Sequence, residues 1–277
     1  MKHNEGRFPG KNKVEIFWQS WLPEKPKAIV VLVHGLGEHS GRYAHVAEAL
    51  VKIDCAVYAM DHRGHGKSGG PRTLVDRFAN AVQDIDHVVE MARAAHPRKP
   101  VFLLGHSMGG ALSLSYALKN PGKLKALMLS GPAVALDGAP PMMKPIAKFL
   151  SLVAPSLGMF KVEPGLVSRD TSVVADYASD PLNAHGKVPA RTLGEIVNFV
   201  EFLPAGLSLI QLPLLIQHGR EDKLAGVTGS QMIADKVSSK DKTLKIYEGL
   251  YHEIFNELPA DRAIVLKDLT DWIGKHV

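Results

Sequence analysis

The ten residues Val101-Phe-Leu-Leu-Gly-His-Ser-Met-Gly-Gly110 constrain the fold more than any other stretch of the chain. Val101 to Leu104 form an unbroken apolar run, the pattern of a strand buried on both faces. Gly105-His-Ser-Met-Gly109 then matches Gly-x-Ser-x-Gly. Gly110 to Leu118 carry apolar residues at helical spacing until Asn120-Pro-Gly122 stops them. Strand, tight turn and helix in that order describe a nucleophile elbow, in which a strained turn lifts the Ser107 oxygen above a sheet. The flanking glycines fit because the helix must pass close to the strand. A serine that only caps a helix would satisfy the local pattern too, so the rest of the chain has to supply what a nucleophile needs.

Around the elbow, strands alternate with helices. Val14 to Trp21 and Ala28 to Val33 are β-rich runs separated by Leu22-Pro-Glu-Lys-Pro26, which suggests an opening hairpin. Ala44 to Ile53 reads as a helix, Cys55 to Met60 as a strand, Phe78 to Ala95 as a helix and Leu124 to Leu129 as a strand. This rhythm predicts an α/β fold with a mostly parallel, doubly wound sheet. It breaks between residues 136 and 206, where turns, prolines and apolar helices occur without a convincing strand. It resumes at Pro213 to His218 and Leu244 to Tyr247 and closes with a helix from Pro259 to about His276. At 277 residues one domain with an insertion suffices. We therefore expect a catalytic domain from residues 1–135 and 207–277, with residues 136–206 inserted as a helical cap.

Charge and cysteine usage narrow the setting. The formal net charge is +5, yet no basic run is interleaved with aromatics and no nucleic-acid motif appears, so no nucleic-acid partner is expected. The excess favours approach to an anionic membrane surface. Cys55 is the single cysteine and can form no internal disulfide, which fits a reducing compartment or simple burial. Met1 to Arg7 lack the apolar core of a signal peptide and no stretch reaches transmembrane length, which points to a soluble cytoplasmic protein.

Two nucleotide-like patterns fail on context. Gly64-His-Gly-Lys-Ser-Gly69 matches G-x-G-x-x-G, but Gly70-Pro71 follows it in place of an apolar helix. Gly66-Lys-Ser68 imitates the end of a P-loop whose first glycine would have to be Asp61. The 13 histidines include the pairs His34/His39 and His62/His65, but no His-Glu-x-x-His helix or Cys-His ligand set accompanies them, so neither a metal nor a cofactor is expected.

A serine hydroxyl needs an adjacent general base, itself oriented by a carboxylate. With a nucleophile elbow the order along the chain is serine, acid, histidine. Past the cap only His218, His252 and His276 remain. His276 lies in the terminal helix and His218 precedes any later acid, which leaves His252, in a loop after the final strand, as the base. The acid is Glu221 or Asp222, both at the C-terminal end of the strand Pro213 to Gln217. One oxyanion donor should be the Met108 backbone N–H, and a second should come from a loop after an early strand.

Five segments carry a family resemblance. His34-Gly-Leu-Gly-Glu-His-Ser-Gly-Arg-Tyr43, Asp61-His-Arg-Gly-His-Gly-Lys-Ser68, Gly105-His-Ser-Met-Gly-Gly110, His218-Gly-Arg-Glu-Asp-Lys-Leu224 and Lys245-Ile-Tyr-Glu-Gly-Leu-Tyr-His252 resemble the monoacylglycerol lipases of the α/β-hydrolase superfamily. Val167-Ser-Arg-Asp170 and Ser179-Asp-Pro-Leu182 add to the similarity. The resemblance implies an α/β-hydrolase fold and a cofactor-free serine hydrolase that cleaves monoacylglycerols to fatty acid and glycerol through an acyl-enzyme. It implies Asp222 as the acid and Leu36 as the second oxyanion donor, and it puts Glu38, Arg42 and Tyr177 near the glycerol end of the substrate. Glu38 and Arg42, at i,i+4 spacing, equally suit a plain ion pair. A lysophospholipase or general carboxylesterase with the same triad is the nearest alternative, and a non-catalytic lipid-binding protein a more distant one.

Two positions depart from some members of that family. Ala225 and Phe255 stand where those members carry a cysteine and a histidine, which removes a reactive thiol and a polar group near the glycerol site. In the cap, Pro145 to Ala154 suit a helix with Ile146, Phe149, Leu150 and Val153 in one stripe and Lys148 and Ser151 opposite. Such a stripe either packs on the catalytic domain or meets an acyl chain or lipid surface. Ile196 to Leu203 offer a second apolar wall.

Overall fold

The computed structural model describes residues 1–135 and 142–277. Its centre is an eight-stranded sheet. The strands are β1 (Lys2–Pro9), β2 (Glu15–Leu22), β3 (Ala28–Val33), β4 (Cys55–Met60), β5 (Val101–His106) and β6 (Ala126–Ser130). After a pair of short strands outside this sheet, β7 (Gly158–Phe160) and β8 (Val188–Pro189), come β9 (Leu214–Gly219) and β10 (Lys242–Tyr247). The order is β1–β2–β4–β3–β5–β6–β9–β10. From β4 to β10 every pairing is parallel, while β1–β2 and β2–β4 are antiparallel. This is the α/β-hydrolase fold.

The expected opening hairpin is corrected by this order. β4 lies between the two runs, pairing Ala28–Val33 in parallel on one side and Trp18–Trp21 antiparallel on the other. Ala28–Val33 are buried on both faces, which suits a central parallel strand better than one arm of a surface hairpin. The actual hairpin partner of β2 is β1, whose polar sequence KHNEGRFP gives little apolar signal because it is a largely exposed edge.

Helices cover both faces. α1 (Ala44–Val51) and α8 (Pro259–Gly274) pack on one, through Val46, Leu50, Leu269 and Ile273. α2 (Phe78–Ala95), α3 (Met108–Lys119) and α7 (Val227–Lys236) pack on the other, through Ile85, Leu112 and Ile233. The sequence signals for α2 and β4 coincide with the observed bounds, whereas α7 carries too few apolar residues to have been read.

Between β6 and β9 lie α4 (Met143–Val153), α5 (Thr171–Ser179) and α6 (Ala190–Gly206), together with β7 and β8, which pair antiparallel and were not expected. The sequence-based cap boundary at residue 136 lies outside the described residues. α4 buries Ala147 and Ser151 against α6, where a Cβ on Gly194 would lie 2.5 Å from the Ser151 Cβ. Ser151, placed opposite the apolar stripe, is therefore on the packed side. Ile146, Phe149 and Val153 face solvent, Leu150 is half-buried, and Leu152 extends the exposed face.

Candidate active site

The elbow forms as its sequence requires. Ser107 sits between β5 and α3 at φ 53° and ψ −121°, the left-handed side of backbone space where a non-glycine residue is strained. Gly109 permits the tight crossing: a Cβ there would lie 2.1 Å from the Val33 carbonyl oxygen. At Gly105 it would lie 2.5 Å from the Gly109 carbonyl oxygen. Both glycines are imposed by the approach of α3 to the sheet.

The other members arrive from the far half of the sheet. Asp222 follows β9 and His252 follows β10. His252 Nδ1 donates to Asp222 Oδ2 at 2.6 Å. Glu221 is exposed and uses its backbone N–H to reach the Leu250 carbonyl, so the geometry separates the two acids that the sequence left together. Asp222 Oδ1 accepts the backbone N–H groups of Leu224 and Ala225 at 2.8 and 2.9 Å.

Burial alone would raise the Asp222 carboxyl. The His252 charge and the hydrogen bonds from His218, His252 and the Ala225 N–H outweigh it and hold the carboxyl well below the usual carboxylate range. Burial likewise depresses His252, but the Asp222 charge and hydrogen bond win and leave its imidazole above its ordinary value. His106, whose ring centroid lies 4.7 Å from that of His252, is pushed down by burial to about 3, so it stands beside His252 uncharged.

Ser107, His252, Leu36 and Met108 border one cavity. The Ser107 Oγ–His252 hydrogen bond is not formed among the described contacts, and such bonds commonly tighten only when substrate binds. Neither the Leu36 nor the Met108 backbone N–H finds an acceptor among the described residues. Two open donors beside a serine oxygen are what a developing oxyanion requires. Most of the wall is apolar, with Phe160, Val162, Leu193 and Ile196 contributed by the segment between β6 and β9. Of the second expected apolar wall, Ile196 reaches the cavity, whereas Leu203 is buried in the core with the β6 and β9 residues.

At the polar end, Glu38 is buried and spends its acceptors on its own loop. Oε1 takes the Gly35 N–H at 2.6 Å and the Tyr43 hydroxyl at 2.7 Å, and Oε2 takes Arg42 at 2.9 Å. Glu38 and Tyr177 border the cavity, whereas Arg42 does not; it stands behind, its guanidinium 4.8 Å over the Tyr177 ring. The Tyr177 hydroxyl reaches the Gly37 carbonyl at 3.4 Å. Glu38 and Arg42 thus form the ion pair, with Glu38 alone of the two on the cavity wall.

Glu253 escaped the sequence analysis. It follows His252, borders the cavity and accepts both Arg42 nitrogens at 2.6 and 2.7 Å. Burial would raise its carboxyl; Arg42 outweighs that and lowers it, whereas burial keeps Glu38 raised against Arg42's pull. An acidic residue beside the candidate base is a signal in itself, but its partner lies 211 positions away.

Comparison with known proteins agrees with this geometry. The family described as Serine aminopeptidase, S33 matches residues 24–259. A monoacylglycerol lipase of Mycolicibacterium smegmatis is 42% identical over 99% of this chain and 98% of its own length. The monoglyceride lipase of Homo sapiens is 36% identical over 94% of this chain and 87% of its own. The crystal structure of the Paleococcus ferrophilus monoacylglycerol lipase superposes with a TM-score of 0.85 at 31% identity, covering 100% of both chains. Matched over nearly its whole length by these proteins, the chain belongs to the monoacylglycerol lipase family of α/β-hydrolases.

Proposed function

We propose that this chain hydrolyses monoacylglycerols to free fatty acid and glycerol, with Ser107, His252 and Asp222 as the triad. One observation carries the reading: the His252–Asp222 pair, Ser107 and two unpaired backbone N–H groups converge on a single apolar cavity.

The chemistry follows from that convergence. Asp222 holds His252 Nδ1, which turns Nε2 toward the serine as general base. As Ser107 Oγ attacks the ester carbonyl, His252 takes its proton, and the Leu36 and Met108 N–H groups stabilise the oxyanion. The imidazolium then protonates the departing glycerol oxygen, leaving an acyl-serine. Water enters, His252 takes a proton from it and gives that proton to Ser107 Oγ as the second tetrahedral intermediate collapses to fatty acid and free Ser107. Every step is a proton or acyl transfer, so no cofactor enters.

The wall chemistry supports a single-chain lipid ester. Each methylene moved from water onto Phe160, Val162, Leu193 or Ile196 contributes about 0.8 kcal/mol. Glu38, Tyr177 and Glu253 bound the polar end, with Arg42 neutralising one of the two carboxylates from behind. That leaves a site suited to a hydroxyl-bearing, uncharged leaving group. A general carboxylesterase is the second reading, favoured by Phe255, which is buried and apolar where some relatives offer an imidazole.

We read residues 136–206 as the cap over this cavity and the outer face of α4 as its lipid-contacting surface. Phe149 is 63% exposed and Leu152 76%, with Ile146 and Val153 beside them, an apolar patch with Lys148 at its border. Among the described residues no helix is long and apolar enough to cross a membrane. We propose a cytoplasmic chain that draws substrate from a membrane or micelle surface. Turnover of monoacylglycerols, diacylglycerols, lysophospholipids and short p-nitrophenyl esters tests the assignment. The highest kcat/KM is expected for a monoacylglycerol; a higher value for a lysophospholipid or short ester would replace it.

A further inference from the structure

Asp222 Oδ2 carries a second histidine. His218, fully buried at the end of β9, brings Nε2 to 3.0 Å from Asp222 Oδ2 and 2.9 Å from the Ala225 carbonyl oxygen. Both neighbours are acceptors, so Nε2 must bear the proton and donate. On the other side of the ring, Nδ1 lies 2.6 Å from the hydroxyl of Ser230, which is buried in the first turns of α7. In a neutral ring Nδ1 is then the acceptor and Ser230 the donor. The Ala225 carbonyl and the Ser230 hydroxyl thus fix one tautomer between them.

We infer that His218 is a positioning residue that acts through Asp222, with Ser230 holding its tautomer so that a second N–H always faces the carboxylate oxygen used by His252. This rests on Asp222 being the acid of the triad. His218 and His252 donate to the same oxygen, while Oδ1 is held separately by Leu224 and Ala225. Anchoring of the carboxylate is therefore not the main work of His218. Its N–H withdraws negative charge from Oδ2, and with less charge there the imidazolium of His252 is stabilised less. The base loses its proton at a lower pH than Asp222 alone would set, which keeps it neutral and usable near neutrality.

The charged and titratable groups around His252 define what else could move its titration. Asp222 approaches from the β9 loop, Glu253 adjoins it in its own loop, Glu38 comes from the loop after β3, and His106 faces it from β5, with Arg42 behind the two glutamates. Of these only Asp222 touches His218, so a change at His218 or Ser230 reaches His252 by that one route.

The test compares wild type, His218→Leu, His218→Gln and Ser230→Ala by the pH dependence of kcat/KM on a short p-nitrophenyl ester, with melting temperature measured alongside. His218→Leu is expected to move the acid limb upward by about half to one pH unit, the size of one hydrogen bond of about 1 kcal/mol. KM should stay within about twofold, since His218 does not reach the cavity. His218→Gln, whose amide Nε2 reaches about as far as the imidazole Nε2, should return the limb to the wild-type position. Ser230→Ala should shift it in the same direction as His218→Leu by a smaller amount. An unmoved limb in His218→Leu, with loss of activity tracking loss of folded protein, would overturn the inference, as would a His218→Gln variant shifted as far as the leucine. If His218→Leu does not fold, Ser230→Ala decides: a wild-type limb there overturns the tautomer lock. The wild type and Ser107→Ala on the same ester separate the two readings, because an inactive wild type defeats the triad and an active one with unmoved limbs defeats only the role of His218.

Discussion

Arg42 donates through Nη1 and Nη2 to both carboxylate oxygens of Glu253, at 2.6 and 2.7 Å. The fork joins two loops 211 residues apart, the one after β3 that contains Leu36 and the one after β10 that contains His252. A bidentate guanidinium fixes both distance and plane. The fork therefore sets the spacing between the loop that carries His252 and the loop that carries Leu36.

Removing that fork should be costly. In Arg42→Leu the Glu38 and Glu253 carboxylates lose their shared counter-charge while staying buried, an uncompensated arrangement worth about 3–5 kcal/mol. Urea denaturation monitored by tryptophan fluorescence should show that loss, with Glu253→Gln milder because the amide is uncharged. A change below about 1 kcal/mol in Arg42→Leu would mean that solvent reaches the pair.

For the triad, Ser107→Ala, Asp222→Asn and His252→Ala should each lower ester turnover by roughly 10³ or more, and not additively. Glu221→Gln should leave turnover near wild type, since Glu221 is exposed and makes no side-chain contact with His252. Steady-state kinetics on one soluble ester decides. Activity kept in Asp222→Asn but lost in Glu221→Gln would transfer the role of the acid.

The pH profile has a defined sign. His252 must be neutral to take the serine proton, and Asp222 holds its imidazole above 6.5. The rate should therefore rise with pH through an acid limb above 6.5 and fall away below it. Asp222→Asn removes the charge that outweighs burial, so its residual activity should have a limb at lower pH. A wild-type limb well below 6.5 would show that burial dominates.

Cys55 offers a contrast in reactivity. Burial, reinforced by the neighbouring Asp54 charge, pushes its thiol up to about 12, leaving almost no thiolate at neutral pH. A maleimide should leave activity intact, while a fluorophosphonate should label Ser107 one-to-one by mass spectrometry. Rapid maleimide inactivation that Cys55→Ala abolishes would contradict this.

On the cap, Phe149→Ser and Leu152→Ser remove exposed side chains, so melting temperature and short-ester turnover should hold. Liposome co-sedimentation and long-chain monoacylglycerol turnover should fall. Unchanged liposome binding in both variants would remove lipid contact from this face.

Much of this fold was legible because its buried elements have one-sided chemistry. The strand at Cys55, the helix at Phe78 and the elbow announce themselves through apolar periodicity, since each is covered by the layers around it. The opening hairpin was misassigned because adjacency in sequence suggested pairing, while β4, farther along the chain, fits between the two strands. Chain order was enough to nominate Ser107 and His252, which border one cavity. Separating Asp222 from Glu221 needed either the family resemblance or the observed contact, for adjacent acids in one loop differ only in direction. Glu253 and His218 stayed hidden because their meaning lies in partners that meet only after folding.

The sheet's two margins carry one more consequence. β1, with Lys2, Glu5 and Arg7, and β10, with Lys242 and Lys245, are its outermost strands, and both are marked by charge. An incoming strand from another molecule would have to desolvate those side chains before gaining a ladder of hydrogen bonds. The polar composition that concealed β1 from periodicity is thus a guard against fibril-like stacking, and blunting it with valines should turn a well-behaved enzyme into one that precipitates.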